Sequence, residues 1–302
     1  MYIPLNKKNI QNMLETIGVK SIDELFADIP ANLGYKSNGS EFAAISALEI
    51  EKKISDADFQ PSICFAGAGI YDHYIPAAVD AIASRSEFYT AYTPYQPEIS
   101  QGALQYIFEY QTMVCALTGL EVSNASLYDC ATALVEAIKM AVLKKNKKLE
   151  AVVFLTESLN ANYRAVVNTY LKFSDIRFVT IPCDNKTGQI DCRWLDKHIS
   201  EADAICIQSP NYYGVIEDLD AIASICAKNR DIVKILVCYP FSLGILKKPG
   251  EVGFDIAVGE GQCLGLPMSA GGPLLGMIAA RNDFLRFIPG RIVGKTVDKD
   301  GK

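Results

Sequence analysis

Up to about residue 60 the chain carries mostly polar positions with helical spacing, and Ser21-Ile22-Asp23-Glu24 resembles a capping box opening a short helix. The polar stretch 32–40, which starts at Asn32, reads as a loop. Within 105–117, Ile107, Phe108, Met113, Val114 and Leu117 recur at helical spacing, and a second helix is expected over 132–144. Beyond residue 150 the texture changes. Short apolar, β-branched runs at 151–155, 176–181, 204–207, 235–238, 256–258 and 274–279 alternate with helical segments. Runs of this kind, without clean alternation, suit strands buried on both faces, so the pattern predicts an α/β domain with a mostly parallel sheet covered by helices. The expected division is a helical N-terminal segment with a loop over 1–100 and a large α/β domain over 101–302.

Immediately before the first long helical pattern, Phe88-Tyr89-Thr90-Ala91-Tyr92-Thr93-Pro94-Tyr95-Gln96-Pro97-Glu98 crowds aromatic rings, hydroxyls, an amide and a carboxylate together. Each proline fixes its own φ and pushes its predecessor toward extended geometry, so 93–98 is expected to be a rigid, non-helical loop. Such a loop suits the gripping of a small ligand or a partner; the alternative is a connection whose tyrosines pack on a core.

Composition narrows the function classes. With 302 residues, half of them apolar, the chain can bury a substantial core. A net charge of −6 with both signs scattered argues against a nucleic-acid or anionic-membrane surface. The one basic cluster, Lys144-Lys145-Asn146-Lys147-Lys148, falls where a helix ends, where the macrodipole favours cations. No charged-then-apolar leader is visible, and no apolar run is long enough to cross a bilayer. Nine cysteines is an odd number without a close CxxC pair. Cys64, Cys115, Cys206, Cys226 and Cys238 stand in apolar settings, so a reduced, cytoplasmic protein without a zinc site is expected.

Several chemical motifs are weak. Gly259-Glu260-Gly261-Gln262-Cys263-Leu264-Gly265 follows an expected strand, but its glycine spacing misses the dinucleotide pattern. His198 reads as a surface helix residue, whereas His73 is the better functional candidate, its alternative being a histidine hydrogen-bonded at a helix start. No Gly-x-Ser-x-Gly is present, so covalent hydrolysis has no visible basis.

A family resemblance rests on longer motifs. These are Gly67-Ala68-Gly69-Ile70-Tyr71-Asp72-His73-Tyr74-Ile75-Pro76, the tyrosine loop, Asn124-Ala125-Ser126-Leu127-Tyr128-Asp129 and Gln208-Ser209-Pro210-Asn211-Tyr212-Tyr213-Gly214. Ile216-Glu217-Asp218, the 259–265 glycine segment and Pro289-Gly290-Arg291-Ile292-Val293-Gly294 continue it over nearly the whole chain. Together they resemble the N-terminal half of the glycine-cleavage P-protein family and, within it, the first subunit of the split, two-gene form of glycine dehydrogenase (decarboxylating). The resemblance implies a fold-type I pyridoxal-phosphate-dependent transferase-like domain. It also implies that members continue past residue 302 into a smaller C-terminal domain, so that this sequence is expected to lack roughly the last third of the family's length.

Pyridoxal phosphate needs a lysine for its Schiff base and a carboxylate for its pyridinium nitrogen. In the family's catalytic subunit the lysine stands five residues before a proline; the matching count back from Pro267 reaches Gln262, and Tyr239 stands where relatives usually have Asp. Lys247-Lys248 reads as a solvated turn. The resemblance thus implies that this chain has no catalytic lysine of its own and that the cofactor is bound to subunit 2 of an α2β2 assembly. There glycine is decarboxylated and its aminomethyl group passes to the lipoyl arm of H-protein. By the same resemblance Tyr92, Thr93, Tyr95, Gln96, Glu98 and His73 belong to the substrate or lipoyl channel or the subunit interface. Ser126, Tyr128, Asp129, Asn211, Tyr239 and Gln262 form a vestigial cofactor pocket. Relatives usually have Gly at Cys130, His-Pro at Asn160-Ala161 and Phe at Ala270; if the glycine takes positive φ, Cys130 costs roughly a kcal/mol or more. Two other readings stay open: a structural or regulatory paralogue that assembles with a pyridoxal enzyme, and a free-standing enzyme using Lys247 or Lys248.

Overall fold

The structure is a computed structural model that describes residues 5–30, 32–33, 44–57, 63, 67–145 and 150–301. Most of the 32–40 loop, the 146–148 part of the basic cluster and Cys64 fall outside the described residues. Two compact units are present, Met1–Ile63 and Cys64–Lys302.

In the first unit, helix α1 (Lys7–Ile17) is capped by the Asn6 side chain and stopped by Gly18 at φ 87°. Ser21 and Glu24 do bond the backbone at Glu24 and Lys20, but they open a 3-10 turn, Asp23–Phe26, instead of an α-helix. The full capping box is Ser46 with Glu49, at the start of α2 (Ala47–Ser55).

The second unit begins with short helices α3 (Ala77–Ala83) and α4 (Ser86–Tyr89), followed by α5 (Gln101–Thr118), which Gly119 ends at φ 70°. After strand β1 (Val122–Ser123), α6 (Cys130–Lys145) leads into alternating elements. These are β2 (Ala151–Thr156), α7 (Ala161–Tyr170), β3 (Ile176–Ile181), α8 (Cys192–His198), β4 (Ala204–Ser209), α9 (Leu219–Cys226), β5 (Val233–Cys238), β6 (Ile256–Glu260) and β7 (Gly276–Ala280). They make one seven-stranded sheet of order β1-β7-β6-β5-β4-β2-β3. Strands β2 to β6 pair in parallel; β7 is antiparallel to β6 and β1.

The expected α/β architecture holds, and packing explains the missing alternation. Val153, Leu155, Cys206, Ile235 and Val237 join α6 and α7 in one core, while Val152, Phe154, Ile205, Ile207 and Leu236 join α8 and α9 in another. Both faces of the central strands are buried, so polar residues have no place there. The run at 274–279 differs from expectation: it becomes strand only at Gly276 and runs antiparallel. Gly276 is tightly held, since a Cβ there would lie 2.3 Å from the Asp129 carbonyl oxygen.

Candidate functional site

The chain leaves β2 outward to β3 and returns on its other side to β4, so the sheet order reverses between β2 and β4. A crevice at the carboxyl ends of parallel strands beside such a reversal is the usual ligand position in open α/β sheets. A cleft of about 490 Å³ lies there. Gln208 at the end of β4, Val237, Cys238 and Tyr239 at the end of β5, and Glu260 at the end of β6 line one side. Cys130 at the start of α6, Tyr163 on α7, the 210–214 turn, and Gly67, Gly69 and Tyr71 complete it.

Most polar side chains here are spent on the chain's own backbone. Asn211 Oδ1 accepts from the N–H groups of Tyr213 and Val215 at 3.0 and 3.1 Å. Its Nδ2 donates to Gly188 O and to Glu217 Oε1, each at 2.9 Å. Gln208 Oε1 accepts from Asn160 N at 2.8 Å. Gln262, 1% exposed, accepts from Tyr71 N at 3.1 Å and donates to Leu266 O at 2.7 Å. Asn160 Nδ2 donates to Ala68 O at 2.9 Å, so two buried amides tie the 67–71 strap beside the cleft. Gly69 is required: a Cβ there would stand 2.3 Å from the Tyr163 hydroxyl.

Burial also sets the electrostatics. The Tyr163 hydroxyl and Cys130 thiol are pushed well up by desolvation, and Cys238 is pushed up to about 12 for the same reason. The Tyr239 hydroxyl is likewise raised by burial. Glu260 and Glu217 are raised above the ordinary carboxylate value by burial, against the hydrogen bonds that lower them. Among the described residues no lysine, arginine or histidine lines the cleft. The described lining does not fit covalently held pyridoxal phosphate, since among these residues there is no amine for an imine and no cation for a phosphate.

Of the residues singled out from sequence, Asn211 and Tyr239 line the cleft and Gln262 supports it. Asp129 caps α6, accepting from Thr132 N at 2.8 Å; Ser126 is exposed, its carbonyl taking Asn124 Nδ2, and Tyr128 is 86% exposed. Cys130 lies in the first turn of α6 and is not among the positive-φ residues, so the conditional strain does not arise there; Ala270 has φ 55°. His73 hydrogen-bonds Tyr71 O through Nδ1 at 3.2 Å and meets Phe241 edge-on, with its buried Nε2 unpartnered among the described residues. Lys247 is paired with Asp220 at the surface at 2.5 Å, and neither it nor Lys248 lines the cleft.

The tyrosine loop stands apart from this cleft. It carries neither helix nor strand over 91–96, the non-helical course expected there, with Tyr92 80% and Tyr95 70% exposed, so these rings do not pack on a core. Tyr92 and Tyr95 face each other at 6.1 Å, and the Arg291 guanidinium covers Tyr95 at 5.4 Å. Thr93 O accepts from Tyr95 N, Gln96 O caps the following turn at Ser100 N, and Glu98 borders a separate groove of about 530 Å³. Glu260, Tyr163 and Gln208 were not singled out from sequence. A carboxylate ending an apolar strand run was the available signal for Glu260; Tyr163, in an ordinary helical stretch, gave none.

Sheet order and cleft position define a fold-type I pyridoxal-phosphate-dependent enzyme fold. Distant solved structures share it, among them a mutant with glycine covalently linked to its PLP cofactor, 15% identical with TM-score 0.54 over 76% of this chain and 60% of that one. The chain belongs to the glycine cleavage system P-protein family, whose model matches residues 1–302. It is similar to the glycine dehydrogenase (decarboxylating) subunit 1 of Desulforamulus reducens, 46% identical over 311 residues, covering 100% of this chain and 68% of the relative. The counterpart of Legionella pneumophila is 46% identical over 308 residues, covering 100% and 67%. The crystal structure of glycine decarboxylase (P-protein) of the glycine cleavage system, in inhibitor-bound form, superimposes with TM-score 0.82 at 39% identity, covering 100% of this chain and 68% of that one. The chain thus spans about two thirds of the length of these relatives. Among the described residues no helix is long and apolar enough to cross a membrane.

Proposed function

We propose that this chain is the subunit without a Schiff-base lysine of a two-subunit, cytoplasmic glycine decarboxylase, active only with a second subunit that holds pyridoxal phosphate. One observation carries this reading: position 262, where the family motif puts the cofactor lysine, is a buried glutamine with both amide ends bonded to backbone. The lysine that bonds the cofactor then comes from subunit 2, and the cofactor supplies the electron sink for decarboxylation. This chain contributes a rigid surface. Tyr92, Thr93, Tyr95, Gln96 and Glu98 stand on an ordered loop braced by Arg291, with rings turned to solvent where a partner can cover them. In an α2β2 assembly these groups, with His73, would wall the path for glycine and for the lipoyl arm of H-protein.

The test is glycine-dependent exchange of labelled bicarbonate with H-protein and subunit 2, adding or omitting this chain. Exchange only in its presence supports the proposal; no association with subunit 2 at micromolar concentration overturns it. The second reading, a structural or regulatory paralogue, draws on Tyr239, whose hydroxyl lines the cleft where relatives usually have a carboxylate. Complex formation without exchange would favour that reading.

A further inference from the structure

Helix α6 has 16 residues and begins at Cys130, in the wall of the cleft. A helix start presents unpaired N–H groups and the positive end of the macrodipole, which together attract an anionic group of a ligand. Here that place is filled from within the chain. Glu260, 4% exposed at the end of β6, accepts the Cys130 N–H on Oε2 at 3.0 Å. Its Oε1 accepts the N–H groups of Gln262 at 3.1 Å and Leu275 at 3.0 Å. Asp129 Oδ1 takes the Thr132 N–H at 2.8 Å. The Cys130 and Thr132 donors of the first turn are thus already bonded to side-chain oxygens, and among the described residues no cation lines the cleft to offset a second negative charge.

We infer that Glu260 is a built-in anion at the start of α6, which makes the cleft of this chain reject phosphate-bearing ligands whatever residue stands at position 262. A phosphate ester entering here would have to displace a buried carboxyl from three N–H donors, or sit beside it without a counter-charge. The same residue ties the β6 end, the 261–264 turn, the entry to β7 and the α6 start into one junction, so it is a positioning residue for the cleft wall. The inference concerns this chain's own cleft and survives or fails independently of bicarbonate exchange with subunit 2.

The test titrates the full-length chain with inorganic phosphate and with pyridoxine 5′-phosphate, which lacks an aldehyde and so cannot form imines with surface lysines. Wild type is expected to bind neither saturably at millimolar concentration. Glu260→Ala uncovers the N–H groups and is expected to bind phosphate saturably, at least roughly tenfold tighter than the limit set by wild type, whereas Glu260→Gln, which retains an acceptor oxygen, gains much less. A folded Glu260→Ala without that gain overturns the inference. Should that variant not fold, wild type alone decides: the amide resonances of Cys130, Gln262 and Leu275 stay fixed as phosphate is added. Saturable shifts at those three amides overturn it.

Discussion

Replacing Gln262 with leucine isolates the work of one buried amide. Leucine is close in volume, so the cavity contribution is small. What is lost is two hydrogen bonds, from Tyr71 N at 3.1 Å and to Leu266 O at 2.7 Å, in surroundings that leave the backbone partners only partly able to reach water. At about 1 kcal/mol net for each neutral bond, Gln262→Leu is expected to cost about 2 kcal/mol. In a unit of this size that lowers the melting midpoint by roughly 4–8 °C. The effect should be local as well as global. With Tyr71 released and Ala68 still held by Asn160, amide exchange at Tyr71 is expected to speed up by roughly 5–30-fold, while the α6 core stays protected. Thermal melting and site-resolved hydrogen exchange measure both. A midpoint within about 1 °C of wild type, with Tyr71 exchange unchanged, would refute the assignment of Gln262 as the anchor of the strap.

Other outcomes are as specific. Burial holds Glu217 above the ordinary value of 4.5, so between that value and its raised one the folded chain binds more protons than the unfolded chain. Its contribution is therefore fully present below the ordinary value and is lost as pH rises through the raised one; Glu217→Gln should remove that slope from denaturation midpoints compared at stepped pH. Gly276→Ala puts a Cβ 2.3 Å from Asp129 O and should cost about 1–3 kcal/mol or more in chemical denaturation. Gly244→Ala, where a Cβ meets nothing within 4 Å, is the control and should stay within about 0.5 kcal/mol. Tyr92→Ala with Tyr95→Ala, at sites 80% and 70% exposed, should leave folding stability within about 0.5 kcal/mol. The same pair should weaken association with subunit 2 by roughly tenfold or more in sedimentation or calorimetry. Equal stability and equal affinity would remove the loop from the interface.

Much of the fold was legible because burial on both sheet faces leaves a direct mark in composition. The runs at 151–155, 176–181 and 204–207 appear as β2, β3 and β4 with small changes at their ends. Strand β1 was missed, since its two residues carry no period, and the direction of β7 depends on its partners. Ser46–Glu49 carries the same capping-box pattern as Ser21–Glu24, but only Ser46–Glu49 opens an α-helix, and Ser21–Glu24 opens a 3-10 turn. For the site, the proline loop was readable from fixed φ values alone, and Gln262 only through the family resemblance, which sets it where the catalytic subunit has its lysine. Nothing in the sequence said that the loop and the cleft are lined by separate sets of residues.

The amino-acid sequence by itself determined the α/β class, the helices α5 and α6, the non-helical proline loop and the family, because periodicity, φ restriction and long motifs are properties of neighbours along the chain. Tertiary structure alone decided where polar groups spend their hydrogen bonds. Glu260 reaches Cys130, 130 positions away, and Gln262 reaches Tyr71, 191 positions away. Whether an amide or carboxylate faces a ligand or its own backbone depends on which distant donors the fold brings within about 3 Å, and no local pattern encodes that encounter.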